Sequence, residues 1–540
     1  MRHLVAFAIL ASLPVTIHAQ QSTAPAFAPE AFRAHVDFLA DDLLEGRDTG
    51  SRGYDIAARY VATRFEALGL KPGANGSWYQ DVPFLVGRLA DAPPTVTIGG
   101  RSFANGQDVI VYPTTAEASQ SLEAPVVFVG YGLDMPSRGF DDYRGLDVKG
   151  KIVAILSGVP KGTPSEMGAH LNSDKARMAQ RRGAVGMVTI LTKEATDVYP
   201  WARRAAIVRE PTLSWVKPDG SAFQRAPGIR IAGTLGMPAA EALFAGARRP
   251  ISAVLDEAAR DGAKPRGFAL KPTLRMERRS DVSRMKSPNV LAVLPGSDPA
   301  LANEYVVLMA HLDHEGVNPN AEGDKVYNGA MDNAAGTATL IEVARAMAAS
   351  PDRPKRSILF AAVTAEEKGL LGSEYLAQNP VVGSGKVVGV VNLDMPVLLY
   401  DFTDVIAFGS DHSTLGESVA RAGAQMNVKL SADPMPEQGI FTRSDHYRFV
   451  QAGVPSVMLM TGFANGGETI WKDFFARYYH KPADEPGLPF NWDAAAKFAR
   501  INYLIAREIA DAPQAPRWYS DSFFGQAVGG DESKATRPAP

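Results

Sequence analysis

Five side chains able to hold metal ions occur in the order His311, Asp332, Glu367, Asp394 and His480, and a further carboxylate, Glu366, stands directly before the third. Two imidazoles and three carboxylates are what two zinc ions need when each takes one histidine, one terminal carboxylate and a share of a bridging aspartate, with a water between them. The spare glutamate is then placed to take that water's proton. Singly, each group has a plainer reading. A histidine after a strand is commonly a satisfied core or surface residue, an aspartate at a helix start is commonly a cap, and a Glu-Glu pair is commonly solvated surface. Their joint order and local settings point to a metal site.

Those settings are apolar runs of the kind that form buried parallel strands. Residues 306–310 lead into His311, residues 358–363 into Glu366 and Glu367, and residues 387–391 into Asp394. In open α/β sheets ligands gather beyond the carboxyl ends of the strands, so such residues converge although they are distant in sequence. Asp332 precedes Leu340, Ile341, Val343, Ala344 and Met347 at helical spacing, and the positive end of that helix dipole favours a carboxylate. Asp313, two residues beyond His311, is expected to accept the proton on the other imidazole nitrogen and fix the tautomer. Strands alternate with helices from Ser287 to a long helix expected at 492–510, which implies an α/β fold, a three-layer α/β/α sandwich around a mainly parallel sheet.

The segments Ala310-His311-Leu312-Asp313-His314, Gly329-Ala330-Met331-Asp332-Asn333, Thr364-Ala365-Glu366-Glu367-Lys368-Gly369, Asn392-Leu393-Asp394-Met395 and Tyr478-Tyr479-His480 resemble the motifs of the co-catalytic di-zinc exopeptidases. That family includes bacterial leucine aminopeptidases and glutamate carboxypeptidase. The resemblance implies two zinc ions per chain and peptide substrates. It implies that Asp332 bridges the metals, that His311 and Asp394 complete one site, and that Glu367 and His480 complete the other. It implies Glu366 as general base and acid, with Tyr479 donating its hydroxyl to the oxyanion. The family pattern often carries a second aspartate where this chain has Met331, a departure that touches no ligand. Residues 441–449 resemble the family's Ser-Asp-His loop beside the cleft, so Arg443, Ser444, Asp445 and His446 become candidates for substrate contact. Arg443 could meet a substrate carboxylate or brace the loop.

Aminopeptidase action is the first expectation. Carboxypeptidase action on an acidic residue would need a dedicated cationic pocket. Glutaminyl cyclases share the fold with one zinc, which would leave His311 unused. A non-catalytic binding protein should lack a ligand or the Glu366 base, and this chain lacks none of them.

Residues 110–265 change to short strands with many Gly and Pro turns and resemble the protease-associated domain, a β-rich insert of secreted peptidases. Around it, residues 28–109 read as an N-terminal helical part of the peptidase domain, 285–512 as the catalytic domain and 513–540 as a flexible C-terminal tail. Residues 1–19 read as a signal peptide: a short basic start, an apolar stretch at 4–15, and Ile17-His18-Ala19 before Gln20. The expected destination is the periplasm or the extracellular space. The absence of cysteine excludes disulfides. With Lys+Arg 56 against Asp+Glu 59 and a net charge of -3, the composition argues against a nucleic-acid partner. The apolar start is too short to span a bilayer and no later stretch reads as a membrane helix, so no stable membrane insertion is expected. The sequence leaves the oligomeric state open.

Overall fold

The strand Glu304–His311 organises the molecule because both of its faces are buried. In this computed structural model, which describes residues 25–530 and 533–538, it runs parallel to Ser357–Val363 on one side and Lys386–Leu393 on the other. Ser456–Thr461 extends the parallel set beyond Lys386–Leu393. Side chains alternate across the pleat: Val306, Leu308 and Ala310 enter one core, and Val307 and Met309 enter another. The first core lies under the helices Pro29–Leu39, Ala335–Ala349 and Trp492–Asp511, which pack on one another. The second lies under Leu371–Gln378 and His446–Gln451. The result is the three-layer sandwich expected from the apolar runs, with each buried Val or Leu contributing about 1.5–3 kcal/mol. The expected signal segment, 1–19, lies outside the described residues.

The strand Phe268–Leu294 belongs to two sheets. From Ser280 onward it pairs antiparallel with Tyr79–Leu89 and then with Ser357–Val363, closing one side of the main sheet. Up to Arg279 it pairs with Ser119–Phe128 and Thr95–Ile98 in a second sheet, which continues through Ile152–Leu156, Gly186–Ile190 and Ile231–Leu235. This second sheet draws its strands from residues 95 to 279, wider than the 110–265 read from the turns. The stretch 28–109 is helical only as far as Ala67. Beyond it, Val82, Phe84 and Val86 alternate into a small core with Leu213, Trp215, Ala365 and Leu371, and that period-2 burial makes a strand. Residues that precede the insert, and residues within it, therefore pack beneath the loop that carries Glu366.

The tail expected to be flexible from 513 folds back instead. Trp518 and Phe524 are buried, and Phe524 lies in a short helix, Phe523–Ala527. The physical cause is aromatic: Phe524 packs edge-on against His170 and His412 and lies beside Phe441, while Trp518 Nε1 donates to Gly453 O at 2.7 Å. Among the described residues no helix is long and apolar enough to cross a membrane.

Candidate metal centre

His311 closes the strand Glu304–His311, Asp394 follows Lys386–Leu393, and Glu366 and Glu367 lie just beyond Ser357–Val363. Asp332 sits in the non-helical turn ahead of Ala335–Ala349, and His480 follows the helix Gly467–Arg477. The fold thus brings together five groups spread over 170 residues of chain. His311 Nε2 is 3.1 Å from Asp332 Oδ1 and 3.1 Å from Asp394 Oδ1. On the other side, His480 Nε2 is 3.2 Å from Asp332 Oδ2 and 3.4 Å from Glu367 Oε2. Each oxygen of Asp332 therefore faces a different imidazole.

Such spacings suit ions. Bonds of about 2.0–2.1 Å in a tetrahedron put neighbouring donor atoms about 3.3–3.4 Å apart. The charges agree with this. Burial works against a proton on His311, but Asp394, Glu366 and Asp332 outweigh it and hold that imidazole well above its ordinary range. His480 is raised in the same way by Glu367 and Asp332, against the effect of burial. Asp332 is also buried, yet its bonds to the two histidines hold it well below the usual carboxylate range. A buried set that demands positive charge this strongly, with two neutral-capable imidazoles among its members, fits zinc.

The supporting groups were only partly foreseen. The Nδ1 of His311 lies 3.0 Å from the backbone carbonyl of Asp313, so the main chain fixes the tautomer, not the Asp313 carboxylate. That carboxylate accepts the amides of Glu366 and Glu367 at 3.1 and 3.3 Å, and the Thr49 hydroxyl at 3.0 Å. It therefore shapes the Glu366 turn, and burial raises it to about 6. Asp484, which the sequence reading passed over, accepts the amides of Met331 and Asp332 at 2.8 and 3.0 Å. Also missed were Glu315, 3.2 Å from His480 Nδ1, and His314, whose Nδ1 donates to Glu367 Oε1 at 2.8 Å. His314 stands inside a recognised motif and Glu315 directly after it, and that position was the available signal. Asn333 ties the Asp332 turn to the Asp394 strand end, donating to Leu393 O at 2.9 Å and accepting from Gly336 N and Met395 N. A Cβ on Gly336 would lie 2.1 Å from Asn333 Oδ1, so only glycine fits there. Arg47 is fully buried and donates to the carbonyls of Leu39, Leu312, Asn328 and Gly329, which clamps the His311 and Asp332 loops together.

The loop after Gln438 divides the remaining candidates. Ser444 donates to Asp394 Oδ2 and accepts from Asn392 Nδ2, so it orients a carboxylate of the cluster. Asp445 and His446 are fully buried and do not line the cavity above the cluster, which corrects their reading as substrate contacts. Burial pushes His446 down to about 3 and Asp445 up to about 7. Arg443 does line the cavity and donates to the Tyr479 hydroxyl at 3.0 Å. Glu366 also faces this space, and burial, with Glu367 and Asp394 nearby, raises it well above the usual carboxylate range despite His311.

Imidazoles and carboxylates converging beside an open cleft, with a raised glutamate among them, are the groups that metal-dependent hydrolysis uses. Residues 289–506, which hold every candidate ligand, match the model of Peptidase family M28. The chain is similar to a "Probable zinc metalloprotease" of Pyrenophora teres f. teres, 28% identical over 269 residues, covering 42% of this chain and 53% of the relative. It is also similar to "Leupeptin-inactivating enzyme 1" of Streptomyces exfoliatus, 30% identical over 181 residues, covering 32% of this chain and 36% of that one. The chain thus spans between a third and about half of the length of these curated relatives. In structure it resembles an aminopeptidase from Aneurinibacillus sp. strain AM-1, with a TM-score of 0.52 at 19% identity, covering 91% of this chain and 96% of the other, a likeness of fold.

Proposed function

We propose that the protein is an aminopeptidase that removes N-terminal residues from peptides at a centre of two zinc ions. The observation that carries this reading is Asp332, whose two oxygens lie 3.1 and 3.2 Å from the Nε2 atoms of two different histidines. His311 and Asp394 would complete one site, and Glu367 and His480 the other. Zinc bound there would supply a water of lowered pKa and a Lewis acid for the scissile carbonyl. The chain's own groups do the rest. Glu366, raised in pKa and facing the cavity, accepts the attacking water's proton and delivers it to the leaving amine. The Tyr479 hydroxyl accepts from Arg443, which leaves its own hydrogen free to donate to the oxyanion. The carboxylates of the centre attract the free ammonium of a peptide N-terminus.

The test is mass spectrometry of a mixed peptide library after incubation with the zinc-loaded protein and with a Glu366→Gln variant. Stepwise loss from N-termini is expected. Losing a general base lowers such rates on the order of 10²–10⁴-fold, so the variant should be nearly silent while its zinc content is unchanged. Loss from C-termini, or no cleavage, would overturn the reading. We also propose that the chain is exported and that its second sheet is a protease-associated domain. The basic and apolar start before Gln20 supports the first, and N-terminal sequencing of the mature protein would test it.

A further inference from the structure

The cavity above the metal centre, about 320 Å³ in volume, carries two guanidinium groups in its wall, Arg443 and Arg448. Among the described residues their side-chain hydrogen bonds go to neutral acceptors, while Glu366 and Asp332 attract Arg443, and Glu374 and Asp445 attract Arg448, through space. Arg443, exposed at the mouth, donates to the Tyr479 hydroxyl at 3.0 Å and to Gln438 O at 3.3 Å. Arg448 donates to Gln451 Oε1 at 2.8 Å and to Gly369 O at 3.1 Å, and its buried Nε has no hydrogen-bond partner among the described residues. The nearby carboxylate of Glu374 is taken by Arg225 at 2.7 and 3.1 Å and by Trp215 Nε1 at 3.1 Å. Asp445, buried behind the wall, makes no hydrogen bond to either arginine. The neighbouring wall is largely apolar, formed by Ile440, Met458, Met460 and Phe475. The floor carboxylates Asp332, Glu367 and Asp394 face the histidines of the metal centre.

Guanidinium groups whose hydrogen bonds go to neutral acceptors remain able to take an anion directly, and a planar guanidinium matches a carboxylate with two parallel hydrogen bonds. We propose, on the basis of the exopeptidase reading above, that this cavity selects peptides that present a carboxylate to the arginine wall. Arg443 makes the direct contact and Arg448 reinforces the field. The carboxylate comes from an acidic terminal side chain or from the free C-terminus of a very short peptide, and the recognising chemistry is the same.

Calorimetric titration of the zinc-loaded Glu366→Gln protein tests this, because binding is read without turnover. Glu-Leu-Leu-amide is compared with Gln-Leu-Leu-amide, and Leu-Leu with Leu-Leu-amide, which separates the two sources. The acid of at least one pair is expected to bind roughly tenfold tighter than its amide, the difference between a charge-assisted and a neutral hydrogen bond. Adding Arg443→Gln should bring that ratio close to one, and Arg443→Lys should restore part of it. Equal affinity within both pairs, or a ratio untouched by Arg443→Gln, would overturn the proposal. Absence of hydrolysis by the unmutated protein would overturn the aminopeptidase reading alone, since the binding ratios would still decide this one.

Discussion

Lys175, which opens a short helix, Lys175–Arg181, beside the second sheet, and Glu366, just beyond a strand of the main sheet, are both buried and both displaced from their ordinary proton affinities. Burial lowers Lys175 to about 7 and raises Glu366 well above the carboxylate range. What separates them is how the charge is answered. The Lys175 ammonium donates to Leu156 O at 2.8 Å and to Gly158 O, so its hydrogens are consumed by the backbone it holds. Glu366 faces a cavity beside Asp332, Glu367 and Asp394, where its charge is left for something that enters. A perturbed buried group therefore marks a reactive site only where it opens onto space and stands among others of matching chemistry. The same physics at Lys175 makes a strut.

That contrast is broken most forcefully at the groups that hold the metal ligands in place. Asp484→Asn keeps the shape of the side chain but removes the charge that the amides of Met331 and Asp332 meet. Zinc affinity should fall about 10–100-fold, the usual effect of losing a partner that orients a ligand. Competition with a chromogenic chelator measures it, and activity should recover when zinc is saturating. An unchanged affinity would mean that the Asp332 turn holds its shape without Asp484.

His311, Asp394, Glu366 and Glu367 were readable as candidates because strand ends announce themselves: an uninterrupted apolar run followed by a polar group has few destinations in an α/β sheet. Asp484 carried no such mark. Its role depends on the approach of residues about 150 positions earlier, and no local pattern encodes that. The tail misled for a related reason. Its Pro, Gly and charged residues suggest a solvated end, while Trp518 and Phe524 find their partners near Gly453, Phe441 and His170. Asp313 shows the opposite error, a correct residue given the wrong atom: its spacing from His311 was right, but the main-chain oxygen reaches the imidazole first.

Lys175→Met sharpens the comparison from the other side. The methionine keeps much of the packing and leaves the carbonyls of Leu156 and Gly158 without their donor, a loss of about 1–3 kcal/mol for a buried unsatisfied group. Urea unfolding should show the destabilisation while kcat and KM on a peptide substrate stay at their unmutated values. A large change in kcat would mean that Lys175 acts on the centre and would erase the distinction between the two buried groups.

The smallest expected effect is the pH dependence of that strut. Lys175 titrates near 7 when folded, and an unfolded lysine titrates near 10.4, so between these limits the unfolded chain binds more protons. Stability then rises with pH from about 7 towards 10. Asp142 contributes in a separate window and with the opposite sign. Burial raises it to about 6, so its contribution is present below the ordinary aspartate pKa and is lost as pH rises through 6. Comparing urea midpoints at pH 7 and pH 9 in the unmutated protein and in Lys175→Met isolates the lysine, because Asp445, His311 and His480 titrate alike in both. From pH 7 to pH 9 the midpoint of the unmutated protein should gain on that of Lys175→Met. A midpoint that rises equally in both proteins would assign the effect to another group and leave Lys175 charged in its buried position, with the two carbonyls sufficient to hold the ammonium.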